Sequence, residues 1–305
     1  MKHRASVLLF GLALLAAVSG CSSQPAAGSN EPLQIKVPRG PVGLAPTDDG
    51  VWVVSSGADS VTKLSGTGKV TSTEQTPPVP LRAAMDGDRL WVTSFEDNVV
   101  AEIGRGTVDV GHGAEGIAVD GQRLWVVAQD DGRLVRLDGG KVTARINVET
   151  GARLVIVGEK AVFVSNYAQG NIVAVNPARN KVRSSKFVCA GPQGMALHGD
   201  LLWVACTLGE SVVAVDPVSL KIRHEIRLPG SPDAVRATDE AVYVALQAGP
   251  TLVKINPDSA MVEKKVSLGK QLALADQANI DLAITGDYAW ISSFSEDAVY
   301  RVNLP

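Results

Sequence analysis

The chain has 305 residues, a net charge of −3 at pH 7, and only four histidines and three cysteines. Nucleic-acid-binding domains normally carry a basic stripe, and none is visible here, so we expect no nucleic-acid partner. The length permits a large hydrophobic core, which all-β folds of this size often build as one unit.

Residues 1–20 are predicted to be an export signal. Lys2 and Arg4 precede an apolar stretch from Val7 to Val18 that is too short for a comfortable membrane span. The ending "AVSGC" resembles the bacterial lipoprotein signal, which implies cleavage before Cys21 and acylation of that residue, with palmitate among the acyl groups. An ordinary secretory signal with an incidental cysteine is the alternative. We expect a protein held by lipid alone at the extracytoplasmic face of the cell membrane.

Residues 21–32 are predicted to be a flexible linker. The segment "SSQPAAGSNEP" is rich in Ser, Pro, Ala and Gly and lacks aromatic and β-branched residues, so it has little to bury.

Residues 33–305 contain seven copies of one phrase, such as "LLWVACTLGESVVAVD" from residue 201. Each copy has an aromatic anchor, and successive anchors are 34 to 47 residues apart, close to the period of four-stranded propeller blades. All five tryptophans of the chain are anchors. The anchors are Trp52, Trp91, Trp125, Phe163, Trp203, Tyr243 and Trp290.

Each repeat reads as four short antiparallel strands joined by turns such as Asp-Gly, and no helical periodicity is sustained. One such sheet alone would leave apolar faces in water, so neighbouring sheets must stack with the anchor between them. The sequence therefore predicts an all-β, seven-bladed β-propeller of four-stranded antiparallel blades. The last blade lacks room for a fourth strand, and we expect the strand-like "LQIKVP" at residues 33–38 to supply it.

Two cysteines of the propeller are expected near one end of the fifth blade. Cys189 precedes the innermost strand of that blade, and Cys206 follows its anchor by three residues. In an exported protein this placement favours a disulfide. The alternative is a free thiol at Cys189 and a small buried side chain at Cys206.

The segments "GPQGMALHGDLLWVACTLGESVVAVDPVSLKI" and "SPDAVRATDEAVYVAL" resemble the YVTN-type repeats of bacterial exported propellers. A weaker resemblance links the chain to the virginiamycin B lyase group, which is also seven-bladed. Both resemblances imply blades, and blades host many functions.

One mouth of the central channel is the predicted ligand-binding surface, because loops on a rigid scaffold often carry function. Polar residues stand nine or ten positions before six of the anchors, and aromatic residues stand four positions after three of them. The first set is Arg82, Glu115, Arg153, Gln193, Asp233 and Asp281, and the second is Phe95, Tyr167 and Phe294. Aromatic residues and arginine commonly anchor partners. A wet channel mouth that is merely polar is the alternative.

Two functional hypotheses remain open at this point. The first is a monomeric binding or scaffold module for a protein, a peptide or a cell-envelope ligand, without a cofactor. The second is a lyase or hydrolase in which His112 and Glu115 act with a divalent metal, as the resemblance to the lyase group implies. The full residue set of that group is not matched here, and no phosphate loop, nucleophile elbow or zinc signature is present.

Overall fold

The computed structural model describes residues 31–305. The predicted export signal, Cys21 and the linker up to residue 30 lie outside the described residues. Twenty-eight strands form seven four-stranded antiparallel sheets, joined by turns and by short 3-10 turns at Ser56–Ala58, Leu274–Asp276 and Phe294–Glu296. Within residues 31–305, no helix has the length and apolar character needed to cross a membrane.

Six sheets are built from four consecutive strands, and the seventh combines the two ends of the described chain. Blade 1 contains β2 (Pro41–Thr47), β3 (Gly50–Ser55), β4 (Ser60–Ser65) and β5 (Val70–Gln75); blade 2 contains β6 (Pro80–Asp86), β7 (Arg89–Ser94), β8 (Val99–Glu102) and β9 (Gly106–Asp109). Blade 3 contains β10 (Ala114–Asp120), β11 (Arg123–Ala128), β12 (Arg133–Asp138) and β13 (Lys141–Asn147); blade 4 contains β14 (Ala152–Val157), β15 (Val162–Asn166), β16 (Asn171–Asn176) and β17 (Lys181–Phe187). Blade 5 contains β18 (Pro192–His198), β19 (Leu201–Cys206), β20 (Ser211–Val215) and β21 (Ile222–Arg227); blade 6 contains β22 (Pro232–Ala237), β23 (Val242–Leu246), β24 (Thr251–Asn256) and β25 (Met261–Ser267). Blade 7 contains β26 (Leu282–Thr285), β27 (Tyr288–Ser293), β28 (Ala298–Asn303) and β1 (Leu33–Lys36).

The first strand of each blade lies against the first strands of its neighbours, so these seven strands surround the central axis. Every innermost strand begins at the same end of the ring, which we call the ring end, and turns into the second strand at the opposite end, the hairpin end. The turns from the second to the third strand therefore lie at the ring end as well.

Each aromatic anchor packs between its own blade and the next one. Trp125 of blade 3 packs with Val155 and Val162 of blade 4, and Trp290 of blade 7 packs with Leu44 of blade 1. The same relation holds at all seven blade interfaces. Six anchors are buried, and Trp52 is half-buried. The predicted fold is confirmed, and the anchors are the wedges that exclude water between sheets.

Strand β1 closes the ring, as the sequence predicts. It pairs antiparallel with β28, with Leu33 opposite Arg301 and Lys36 opposite Ala298. Ile35 is buried in the cluster that contains Trp290. Both chain ends thus belong to one sheet, and blade 7 has neither a missing strand nor an unpaired edge on β28.

Cys189 and Cys206 are joined by a disulfide in blade 5, with their Cα atoms 5.8 Å apart. Both residues are buried in the cluster between blades 4 and 5. The bond links the segment entering β18 to the end of β19, at the ring end.

We expect Ile35→Asp to lower the free energy of unfolding by at least about 3 kcal/mol, because it places a charge among apolar side chains and weakens ring closure. Thermal and urea unfolding monitored by circular dichroism measure the effect. Gln75→Asp, on the exposed face of outermost strand β5, is the matched control and should leave stability nearly unchanged. Equal stability of the two variants would show that β1 does not hold the ring together.

Candidate functional site

The innermost strands contain a β-bulge at the ring end in six of the seven blades. In five of these blades the bulge coincides with a predicted polar residue, and in blade 1 it contains Val42. Arg82, for example, lies between the paired residues Pro80 and Ala83. Bulges twist a strand locally and redirect a side chain, which explains why one position of each repeat departs from the alternating pattern.

Hydroxyl groups on the second strand accept N–H groups of the first strand at two of these bulges and at Asp281 of blade 7, whose innermost strand has no bulge. Thr93 Oγ1 accepts a hydrogen bond from the Arg82 N–H at 3.1 Å, and Ser292 Oγ accepts one from the Asp281 N–H at 2.7 Å. Ser165 Oγ likewise accepts a hydrogen bond from the Leu154 N–H at 3.3 Å. A small polar residue two positions after an anchor is thus a sequence signal for the irregular strand beside it.

The six predicted polar residues converge near the axis, but they do not line an open, wet mouth. Arg82, Glu115, Gln193, Asp233 and Asp281 are buried, with exposed fractions of 7% or less, and only Arg153 is partly exposed. The strands approach so closely here that a Cβ on Gly194 would lie 2.3 Å from the Asp233 carbonyl oxygen. The polar side chains therefore form a narrow, nearly dry ring.

Contacts between neighbouring blades run without a break around this ring, joining backbone and side-chain groups in turn. Listed from blade 1, they are Arg82 Nη1 to Val42 O, Thr93 Oγ1 to Glu115 O at 2.7 Å, Arg153 Nε to Glu115 Oε2 at 3.7 Å, Arg153 Nη1 to Gln193 Oε1 at 3.3 Å, Thr207 Oγ1 to Pro232 O at 2.7 Å, Ile280 N to Asp233 Oδ2 at 2.7 Å, and Leu44 N to Asp281 Oδ2 at 3.0 Å. These contacts satisfy polar groups that would be costly to bury alone. The ring therefore has a structural function that the sequence pattern alone does not reveal.

Burial raises the pKa of both Glu115 and Asp233. The positive charges of Arg153 and Arg82 oppose this effect at Glu115, and Arg82 together with the Gln247 amide opposes it at Asp233, but desolvation dominates. Asp233 Oδ1 and Gln193 Nε2 have no hydrogen-bond partner within residues 31–305. The ring therefore contains buried polar atoms that have no hydrogen-bond partner in the described residues.

Arg236 is a charged residue of the channel that the repeat alignment did not single out. It lies on β22, and its Nη2 donates to Asp281 Oδ1 at 2.9 Å. Asp281 also accepts hydrogen bonds from the N–H groups of Leu44 and Leu282, so both of its carboxylate oxygens have partners. No sequence signal pairs position 236 with position 281, because the two residues belong to different blades.

The three predicted aromatic residues lie at the ring end but on different blades. Tyr167 has its ring 4.5 Å from the Arg153 guanidinium carbon, which joins it to the polar ring. Phe95 is half-buried on blade 2. Phe294 of blade 7 lies against Gly40, which has a φ of +69°, and the Phe294 ring occupies the space that a Cβ would need. They form separate contact points around the rim.

A second exposed apolar group lies beside Tyr167. Leu208 and Phe187 have exposed fractions of 64% and 68%. A Cβ on Gly191 would lie within 3.1 Å of both Tyr167 and Leu208, so these two side chains are neighbours. Phe187 lies against Gly170, in the turn that begins at Tyr167, and we call Tyr167, Phe187 and Leu208 the blade 4–5 patch. Leu208 in its turn and Phe187 at the end of β17 were not predicted as functional, because neither occupies a position that recurs in the repeats.

His112 and Glu115 are not brought together. His112 is exposed, and its Nδ1 lies 2.9 Å from Asp131 Oδ1; this hydrogen bond raises the pKa of His112. Glu115 faces the buried ring and pairs with Arg153. No group of three or more His, Cys, Asp or Glu side chains in the described range is arranged to hold a metal ion.

Solved structures similar to this chain include virginiamycin B lyase from Staphylococcus aureus, with a TM-score of 0.77 and 16% identity over 90% of this chain and 99% of the lyase. They also include hydrazine synthase of Kuenenia stuttgartiensis, with a TM-score of 0.74 and 14% identity over 92% and 99% of the two chains. BamB from Moraxella catarrhalis has a TM-score of 0.59 and 14% identity over 86% and 84%. The feature shared with these structures is the propeller fold. No protein-family model and no curated protein sequence matches the chain. At these identities the likeness establishes the fold and leaves the function to be argued from the site.

The raised pKa of Asp233 predicts that stability falls as the pH rises. Folded protein retains this proton above the ordinary value of 3.8 and unfolded protein does not, so the free energy of unfolding decreases between that value and the higher folded-state value. Asp233→Asn removes this titration and keeps an oxygen that accepts from Gln247 and Ile280. We expect its melting temperature to decline less steeply than that of the wild type as the pH rises above about 4.

The pKa of Glu115 is also raised, in part by the charge of Asp233, so the difference in slope reports the titration of Asp233 together with its effect on Glu115. Asp239→Asn, at an exposed position, is the control and should retain the wild-type slope. Parallel curves for wild type and Asp233→Asn would contradict the assignment.

Proposed function

We propose that the protein is a lipid-anchored, extracytoplasmic propeller that binds a protein or peptide partner at its ring end. The observation that carries this proposal is the blade 4–5 patch, where exposed apolar side chains lie beside an arginine stacked on a tyrosine. Aromatic and arginine side chains provide most of the binding energy at many protein interfaces. A soluble surface rarely exposes such side chains together without a partner.

The frame beneath the patch is rigid. The disulfide between Cys189 and Cys206 ties the segment that enters blade 5 to the turn that carries Leu208. Gly170 and Gly191 adopt positive φ and allow Phe187, Tyr167 and Leu208 to lie against the backbone. A partner would therefore meet a preorganised surface, which reduces the entropy lost on binding.

The path of the N-terminal strand supports access to the ring end. Leu33 pairs with Arg301 towards the hairpin end of blade 7, and the strand then runs to the ring end. A lipid on Cys21 would accordingly tether the propeller from its hairpin end. The ring end would face away from the membrane, where a partner can reach it.

The alternative of a metal-dependent lyase or hydrolase receives less support. One neighbour is a lyase and another a synthase by name. In this chain, however, the two residues proposed for such chemistry have separate partners, with His112 held by Asp131 and Glu115 by Arg153.

Anchoring is tested by Cys21→Ala expressed with the full leader in a bacterial host. We expect loss of palmitate labelling and release of the protein from the membrane fraction, because stable anchoring needs two or more acyl chains. Ser22→Ala is the neighbouring control and should remain labelled and membrane-bound. Membrane retention of unlabelled Cys21→Ala would overturn the lipid-anchor proposal.

Partner binding is tested by placing a photoreactive amino acid at position 208 or at position 218. Leu208 and Val218 have similar exposed fractions, 64% and 69%, but lie at the ring end and the hairpin end of blade 5. We expect position 208 to give a discrete crosslinked protein from native membranes and position 218 not to give it.

The same crosslinked species should be at least about tenfold weaker in Phe187→Asp, because a charge in the patch opposes apolar contact. This variant changes an exposed residue and should keep the wild-type melting temperature. If position 218 yields the same species, or if Phe187→Asp leaves its yield unchanged, the patch is not the binding surface.

A further inference from the structure

The centre of the propeller contains a cavity of about 420 Å³ below the polar ring. Its wall consists of innermost strands from all seven blades or the residues that lead into them. Ligand sites in proteins usually enclose about 300 to 1,000 Å³, so the size suits a small organic molecule.

The lower wall of the cavity is apolar and partly solvent-accessible. Val119, Val157, Leu197 and Ala237, at or near the last residue of their strands, line it towards the hairpin end. The polar ring nearly closes the opposite side, as shown by the burial of its residues. The accessible entrance is therefore at the hairpin end, away from the blade 4–5 patch.

The cavity wall carries four charged residues, two arginines and two aspartates, and one arginine and one aspartate form an ion pair. Asp281 is paired with Arg236 at 2.9 Å. Arg82 forms no ion pair within residues 31–305; its guanidinium donates only to the carbonyl groups of Val42 and Leu81. A buried guanidinium without a close counterion is costly, so an anion in the cavity would be a favourable partner, even though the charge of Arg82 also acts on Asp233 and Glu115.

Asp233 does not supply that counterion at close range. Its Oδ2 accepts from Gln247 Nε2 at 2.8 Å and from the Ile280 N–H at 2.7 Å, whereas Oδ1 has no partner in the described part of the chain. Burial also raises the pKa of this carboxyl, so it repels an anion less than an ordinary aspartate would.

We propose that the central cavity binds a small apolar monocarboxylate, with its carboxylate at Arg82 and its apolar body along the inner strands of blades 3 to 6. Guanidinium groups bind carboxylates through charge-assisted hydrogen bonds, and the lower wall excludes water from an apolar chain. A free organic acid and the C-terminal residue of a peptide share this chemistry. The site is independent of the partner surface at the ring end.

The test compares three probes on the intact propeller by isothermal titration calorimetry and ligand-observed NMR. Octanoate represents a free acid, octanamide has the same shape without the charge, and acetyl-Gly-Gly-Leu presents a peptide carboxylate. We expect octanoate to bind at least about tenfold more tightly than octanamide, because a hydrogen bond to a charged group outweighs a neutral one by that factor. Tighter binding of acetyl-Gly-Gly-Leu than of octanoate would identify the peptide as the source of the carboxylate.

Two variants locate the site. Arg82→Gln should weaken octanoate at least about tenfold and leave octanamide unchanged, since only the charge is lost. Ala237→Leu should weaken both probes by filling the lower cavity. Arg105→Gln, which removes an exposed arginine from the same blade as Arg82, is the control and should bind like the wild type.

Equal affinities of octanoate and octanamide for the wild type would overturn the proposal without any variant. Absence of binding of octanoate and of the peptide at millimolar concentration would also overturn it. So would an Arg82→Gln protein that remains folded by circular dichroism and binds octanoate as tightly as the wild type.

Discussion

Every blade depends on its neighbours to bury its apolar faces, and the aromatic anchor is the side chain that fills the space between adjacent blades. Trp125, Trp203 and Trp290 are completely buried, each against the following blade. A four-stranded sheet with two apolar faces has no stable existence alone, so the interfaces must form as a closed set. The pairing of β1 with β28 completes that set, and the loops at both ends of the ring then occupy fixed positions.

Closing seven sheets around one axis brings the innermost strands so near to one another that large apolar side chains do not fit at the ring end. Bulges in blades 2 to 6 place polar side chains in this space, where neighbouring blades provide partners. Arg82 reaching Val42, and Asp281 accepting the N–H of Leu44, are contacts of this kind. Charged and polar groups at the axis therefore stabilise the circular arrangement.

The sequence predicts the blades, the anchors and the closing strand because these follow from local periodicity and from counting strands. The same count also places Arg82, Glu115 and Asp233 correctly at equivalent positions of their repeats. It does not predict that they are buried. Burial depends on the distance between neighbouring blades, and the sequence of a single repeat does not give that distance. Arg236 pairing with Asp281 and Leu208 lying beside Tyr167 are likewise contacts between repeats. The cavity is a further property of the closed ring and has no counterpart in one blade.

The buried ring divides the molecule into two chemically different ends. At the ring end, Tyr167 and Leu208 lie in turns that follow second strands. At the hairpin end, the central cavity has an apolar wall and contains the Arg82 guanidinium, which donates only to backbone carbonyl groups. An exposed apolar patch suits a protein surface, and a cavity suits only a molecule that can enter it. Because Gln193 and Asp233 fill the space between the two ends, a ligand in the channel would contact the ring from below while a partner contacts Arg153 and Tyr167 from above. Any coupling between the two sites would have to pass through the ring contacts of Arg153, Gln193 and Glu115, which are the contacts that also hold blades 3, 4 and 5 together.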